Sequence, residues 1–300
     1  MGGFAGLPGF KLSLDWREQQ GLGVLPPFEG DLYAFLREAG FAYLEFGMGA
    51  CVDERELALL RREAALCREG GLGVALHPYL SGAHNPASFG ERPEALSAVE
   101  SVLGAGSAVA AICGVRVPVV LHPAACSYEG DEQHAAAFRG ELLRRSRLFF
   151  AEMERRARTA HASVEPVAEH QVPPAPGERV MRIGDTYREL LEVVGVGGLG
   201  ICWDTGHYLL SVERHGQSER PAEDFLRLVR HVHLHDVVDG QDHRVVSAGS
   251  HGLRDYMRLL RERGFAGGTT LEYSAWAIRS AGGLRRAIEE SVAAIAAWAI

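Results

Sequence analysis

Short apolar runs alternate along the chain with longer segments in which apolar residues recur at helical spacing. The runs are Phe10–Trp16, Phe41–Phe46, Gly73–His77, Val115–His122, Ala162–Val167, Leu199–Asp204, His231–Asp236 and Thr269–Tyr273. Between them the period predicts helices over Asp31–Ala39, Asp53–Glu69, Pro93–Cys113, Asp131–Ala160, Gly184–Val194, Ala222–Arg230, Leu253–Arg263 and Gly283–Ile300. Runs of four to eight residues suit strands, and strict alternation with helices favours a parallel sheet with helices outside it. Eight such units predict an α/β fold, a closed (β/α)8 TIM barrel, in one domain over residues 1–300. An open doubly wound sheet is the alternative, weakened because no Gly-x-Gly-x-x-Gly follows the first strand. Gly40, Gly70–Gly71, Gly197–Gly198, Gly264 and Gly267–Gly268 fall between helix ends and the next strands, where C-cap glycines belong. The Pro-rich stretch Gln171–Gly177 follows the fifth strand and is expected as a loop over the barrel mouth.

Composition narrows the class. The 300 residues carry 31 Lys+Arg and 39 Asp+Glu, a net charge of −8, with 47% hydrophobic residues, which excludes global disorder. The longest apolar stretch, Ala105–Leu121, is interrupted by Ser107 and Arg116, so no membrane span is expected. The opening MGGFAGLPGF has no basic n-region, so it does not read as a signal peptide. Five widely spaced cysteines without a C-x-x-C pair suggest a reduced, cytoplasmic protein. The acidic balance argues against nonspecific nucleic-acid binding. A small-molecule partner and no membrane partner are expected, and a homo-oligomer is compatible with the sequence.

In a barrel of this kind chemistry collects at the C-terminal ends of the strands. There the chain places Glu45, His77, His122, Glu165, Asp204 with His207 just beyond, the HVHLHD run, and Glu272. Carboxylates facing one another across a mouth with no Lys or Arg at these strand ends need a positive partner. Together with imidazole, that set suits Zn²⁺, Mn²⁺, Fe²⁺ or Co²⁺. In HVHLHD the side chains alternate, so His231, His233 and His235 share the inward face while Val232 and Leu234 pack outward. His233 is the expected ligand, His231 a packed core residue and His235 a supporting donor. His243 follows in a polar loop beside Asp239 and Asp242.

These motifs, GLGICWDTGH, HVHLHD with DH after it, and the closing strand with Glu272, resemble the xylose isomerase-like superfamily. It joins sugar-phosphate isomerases and epimerases with endonuclease IV-type AP endonucleases. The resemblance implies one divalent metal (Zn, Mn, Co or Mg) on Glu165, Asp204, His233 and Glu272. Its endonuclease branch adds ligands that fall here on His77, His122, His207 and His243, with Gln241 standing where that branch has Asp. Glu45 looks like the isomerase branch. The implied activity is a metal-dependent isomerase or epimerase of a sugar, sugar phosphate, polyol or keto acid, working through a metal-stabilised enediolate. Glu165 and Glu272 would shuttle the proton, and His207, Glu45 and His235 would contact substrate. The alternative is a zinc-dependent phosphodiesterase of the endonuclease IV type.

Overall fold

The computed structural model describes residues 4–195 and 198–298, so the predicted C-cap Gly197 and the last two residues of the final predicted helix, 299 and 300, lie outside the described residues. The strands are β1 (Leu7–Ser13), β2 (Tyr43–Gly49), β3 (Gly73–Tyr79), β4 (Val117–Leu121), β5 (Ala125–Ser127), β6 (Val164–Glu169), β7 (Val180–Arg182), β8 (Gly200–Asp204), β9 (Val229–Leu234), β10 (Asp236–Val238), β11 (Gln241–Arg244) and β12 (Gly268–Leu271). The helices are α1 (Trp16–Gly21), α2 (Leu32–Glu38), α3 (Glu54–Glu69), α4 (Pro93–Cys113), α5 (Glu132–Ala160), α6 (Tyr187–Val194), α7 (Thr205–His215), α8 (Glu223–Leu228), α9 (His251–Glu262), α10 (Ala275–Ser280) and α11 (Leu284–Ala297). Eight parallel strands close the barrel in the order β1-β12-β9-β8-β6-β4-β3-β2.

Alternation along each strand sorts its side chains. Phe10, Leu12, Leu44, Phe46, Leu76, Val232, Leu234 and Leu271 face outward and pack under the helices in the main core. Inside the barrel the apolar filling shrinks to Val120, Val167 and Cys202. The rest of the lumen is polar, and part of it is hydrogen-bonded internally. Tyr43 Oη and Thr270 Oγ1 lie 2.7 Å apart, and the Glu45 carboxylate accepts from Thr270 Oγ1 at 3.0 Å. His231 Nε2 sits 2.8 Å from Glu45 Oε2, which makes it the packed, bonded histidine the alternation suggested.

By length and composition helix α4 is long and apolar enough to cross a membrane, although Ala105–Leu121 was not expected to be. The helix stops at Cys113, so Arg116 does not interrupt it, and much of its apolar content lies before Ala105. Ala98, Val102, Leu103 and Val109 are buried in the barrel core. Gly106 lets α4 approach the sheet closely: a Cβ there would meet Val164 at 2.9 Å.

Two antiparallel ribbons cover the mouth. β5 pairs with β7. The stretch Gln171–Gly177 leads toward β7 and is anchored by Gln171, whose buried amide donates to the carbonyls of Pro123, Ala124 and Ile183. β10 pairs with β11 around Asp239–Gly240, both with positive φ (53° and 70°), the backbone a type I′ turn requires. This hairpin folds the chain back over the barrel after β9.

Candidate metal centre at the barrel mouth

The strand registers bring one acidic or imidazole group from each of several neighbouring strands to one level. Asp204 on β8 pairs in register with His233 on β9. Donor atoms of Glu169, Asp204, His233 and Glu272 all lie within 4.8 Å of one another, and all four residues are buried. His233 Nδ1 is 2.7 Å from Glu272 Oε2 and 3.1 Å from Glu169 Oε1, while its Nε2 is 2.9 Å from Glu45 Oε1.

Glu169 stands where Glu165 was expected, and the correction follows from strand geometry. Glu165, Val167 and Glu169 share one face of β6, but four residues at about 3.3 Å each put Glu165 about 13 Å lower. There it lies at the opposite rim, half-exposed, 3.8 Å from Arg116. The apolar run ends at Val167, yet the strand continues two residues further, to Glu169.

The expectation of no cation at the strand ends is also corrected. Lys11 on β1 is buried, and its Nζ donates to Glu272 Oε1 at 2.5 Å and contacts His77 Nδ1. Burial alone would lower its pKa, but Glu272, Tyr79 and Glu45 carry the ammonium above its ordinary value. Lys11 is the only lysine in the chain; every other basic residue among the 31 is arginine. That singularity, on an inward position of a strand, was the available signal. A compact ammonium fits between an imidazole and a carboxylate where a planar guanidinium does not.

Two further groups flank the first. His77 and His122 approach Glu169 Oε2 at 3.2 and 3.1 Å through their Nε2 atoms. On the other side Asp204, His207, His235 and His243 converge. Asp204 also caps α7, its Oδ1 accepting from the His207 backbone N–H at 2.7 Å. The His207 Nδ1–H can donate to the His170 carbonyl at 2.9 Å, which leaves Nε2 with a lone pair for a ligand. His235 Nδ1 accepts from the His243 backbone N–H at 2.9 Å, so Nε2, 3.0 Å from Asp204 Oδ1, is the nitrogen that faces the carboxylate. Glu45 is fully buried and lies against His77, His231 and His233.

His243 has a φ of 53°, left-handed for a non-glycine residue. In a regular strand Asp242 and His243 would face opposite sides. With the kink both enter the site: Asp242 Oδ2 lies 3.5 Å from His207 Nε2, and His243 Nε2 lies 3.2 Å from Glu272 Oε1. Backbone strain of about 1–3 kcal/mol held at such a place is what functional sites tend to store. Burial would lower the His243 imidazole, but Glu272 and Asp242 raise it to about 10. His77 is held down at about 4, first by burial and then by Lys11.

The donor set fits a divalent cation. Glu169 Oε2, Glu272 Oε2, and the Nε2 atoms of His77, His207 and His233 are buried without a hydrogen bond. Several nonetheless lie within 3.3 Å of another such group. These are buried polar atoms close to one another but misaligned for hydrogen bonding, and the structure sorts them into adjacent groups of possible ligands. Mixed carboxylate and imidazole donors suit Zn²⁺ and the harder divalent ions Mn²⁺, Fe²⁺ and Co²⁺.

Comparison with known proteins places the geometry in context. Residues 33–297 match the family model described as xylose isomerase-like TIM barrel. No curated protein matches the chain. Among solved structures, a D-tagatose 3-epimerase-like protein is similar at 20% identity over 95% of this chain and 94% of that one, with a TM-score of 0.65. L-ribulose 3-epimerase is similar at 17% identity, covering 98% and 94%, with a TM-score of 0.63. D-psicose 3-epimerase from Clostridium cellulolyticum H10, solved with D-tagatose, is similar at 12% identity, covering 97% of each chain, with a TM-score of 0.65. At these identities the likeness is one of fold.

Proposed function

Because the chain belongs to the xylose isomerase-like TIM-barrel family, we propose that it is a divalent-metal-dependent sugar isomerase or epimerase. The observation that carries this reading is the convergence of Glu169, Asp204, His233 and Glu272 from four strands at the barrel mouth. A divalent cation held by these four would supply Lewis-acid polarisation of a sugar's carbonyl and hydroxyl oxygens. The similar fold of several sugar epimerases supports the substrate class.

The remaining chemistry belongs to the side chains. Glu169 and Glu272 come from strands separated by β8 and β9, so they flank whatever lies between them. One can take the proton from a carbon beside the carbonyl, and the other, once it has taken up a proton from a substrate hydroxyl or water, can deliver that proton to the opposite face. Both carboxylates are kept ionised. Burial opposes this, but His122 and His233 outweigh it at Glu169, and Lys11 and His233 do so at Glu272. His207 presents its free Nε2 to a substrate oxygen. Lys11 fixes the orientation of Glu272 through its hydrogen bond.

Deuterium incorporation tests the reading. The protein is incubated in D2O with Mn²⁺ or Co²⁺ and a panel of ketoses and ketose phosphates, and exchange at the carbon beside the carbonyl is followed by proton NMR. Exchange with at least one ketose is expected. Its absence across the panel, with hydrolysis of a phosphodiester in Zn²⁺, would support the second reading. That reading, a zinc-dependent phosphodiesterase of the endonuclease IV type, draws on the two flanking groups that share Glu169 and Asp204 with the first. Lys11 against His77 weighs against it, because a permanent cation repels a second metal ion at that imidazole.

A further inference from the structure

Beside the acidic cluster lies a cavity of about 440 Å³ with a different character. Asp242 forms part of its wall and turns its carboxylate to His207 and His243, so the cavity adjoins the cluster. Three guanidinium groups line it: Arg182, Arg214 and Arg244. Arg182 is neutralised by Glu178, with contacts of 2.6 and 3.1 Å. The hydrogen bonds of Arg214 and Arg244 go to backbone carbonyl and side-chain amide oxygens, not to a carboxylate.

Both guanidiniums are held in place. Arg214 donates to the Pro173 carbonyl at 2.5 Å and the Gly240 carbonyl at 3.0 Å, which ties the Pro-rich loop to the β10–β11 turn. Arg244 lies over the Trp276 ring with its guanidinium carbon 3.7 Å from the centroid, and it donates to Gln241. A guanidinium has five donors, so each retains several for a ligand. Trp276 is 53% exposed and lines the cavity. Arg244 and Trp276 follow the cluster residues His243 and Glu272 by one and four positions. The cavity thus opens beside the cluster, with Asp242 in its wall.

We infer that the substrate is anionic, with a phosphate or carboxylate group bound by Arg214 and Arg244 while the sugar carbons lie at the cluster. The inference rests on the isomerase or epimerase reading for the placement of those carbons. Fork-shaped guanidinium groups match either anion with paired, charge-assisted hydrogen bonds. They also offset the repulsion an anion would meet beside five carboxylates (Glu45, Glu169, Asp204, Asp242 and Glu272).

Isothermal titration calorimetry on the full-length protein, with fructose 6-phosphate, gluconate and fructose as probes, tests this. One anionic probe is expected to bind at least about tenfold tighter than fructose and to weaken with added salt. Tight binding of the ester alone identifies a phosphate group, and of gluconate alone a carboxylate. Arg244→Gln is expected to cost about 10- to 100-fold for the anion and to leave fructose unchanged, with Arg214→Gln as the second variant. Protection of tryptophan emission from acrylamide quenching reports whether the probe sits in the cavity, since Trp276 is exposed while Trp16, Trp203 and Trp298 are buried. The inference is overturned if fructose binds as tightly as both anions, if neither variant changes anion binding, or if a single-stranded oligonucleotide binds while both anions do not. Failure of the isomerase reading looks different: anion binding persists and deuterium exchange is absent.

Discussion

Lys11→Met isolates the electrostatic design of the mouth. Methionine keeps the unbranched stem and removes the ammonium, leaving Glu272 without the cation that sits 2.5 Å from it. Both side chains are buried, at 7% and 8% relative exposure. Removing one partner of a buried ion pair costs about 3–5 kcal/mol. His243, raised to about 10 and 3.2 Å away, remains as a second cation, so the lower end applies. At roughly 2 °C per kcal/mol for a chain of this length, the metal-free variant should melt about 6 °C below the parent. A divalent cation on Glu272 takes over the neutralising role, so excess Mn²⁺ should recover most of that loss. Differential scanning calorimetry in chelator and again in Mn²⁺ provides the assay. A shift under about 2 °C in chelator, or the same shift in both conditions, would refute the reasoning. The first outcome means the pair does not matter, and the second means no cation reaches Glu272.

Other substitutions separate the parts of the site. Glu169→Gln should weaken metal binding by more than about 100-fold, since outer partners of ligands alone cost 10- to 100-fold. Glu165→Gln should leave metal binding intact and change stability by less than about 0.5 kcal/mol, because its pair with Arg116 is exposed. Metal titration and thermal melts on the two variants check both statements. Gly206→Ala puts a methyl group into the His235 ring. Displacing that ring from Asp204 should lower metal affinity about 10- to 100-fold with the fold retained, as competition with a chromophoric chelator and circular dichroism would register.

Much of the barrel was legible because its signal is periodic. Helix Pro93–Cys113 was predicted to the residue, and each of the eight barrel strands overlaps a predicted run. The HVHLHD strand was readable for the same reason: alternation left Val232 and Leu234 no place but the outer core. Errors arose where a strand outlasted its apolar pattern. β6 runs through Ala168 to Glu169, and only its hydrogen-bonded register with β8 reveals this. Lys11 escaped because a lysine on a strand ordinarily reads as solvent-facing, although its uniqueness in the composition marked it. The entry of Asp242 depends on a left-handed His243, a tertiary constraint without a local signature. The turn that delivers it did have one, since Asp239–Gly240 between strand-like residues is a hairpin signal.

The claim on which the rest depends is that the mouth cluster is a metal centre built on Glu169. Elemental analysis of protein purified without chelator or metal-affinity resin, beside its Glu169→Gln variant, addresses it most directly. At least one divalent ion per parent chain, lost from the variant, is the expected result. A parent chain that stays metal-free after equilibration with Zn²⁺, Mn²⁺ and Co²⁺, or a variant that binds as much as the parent, would contradict it.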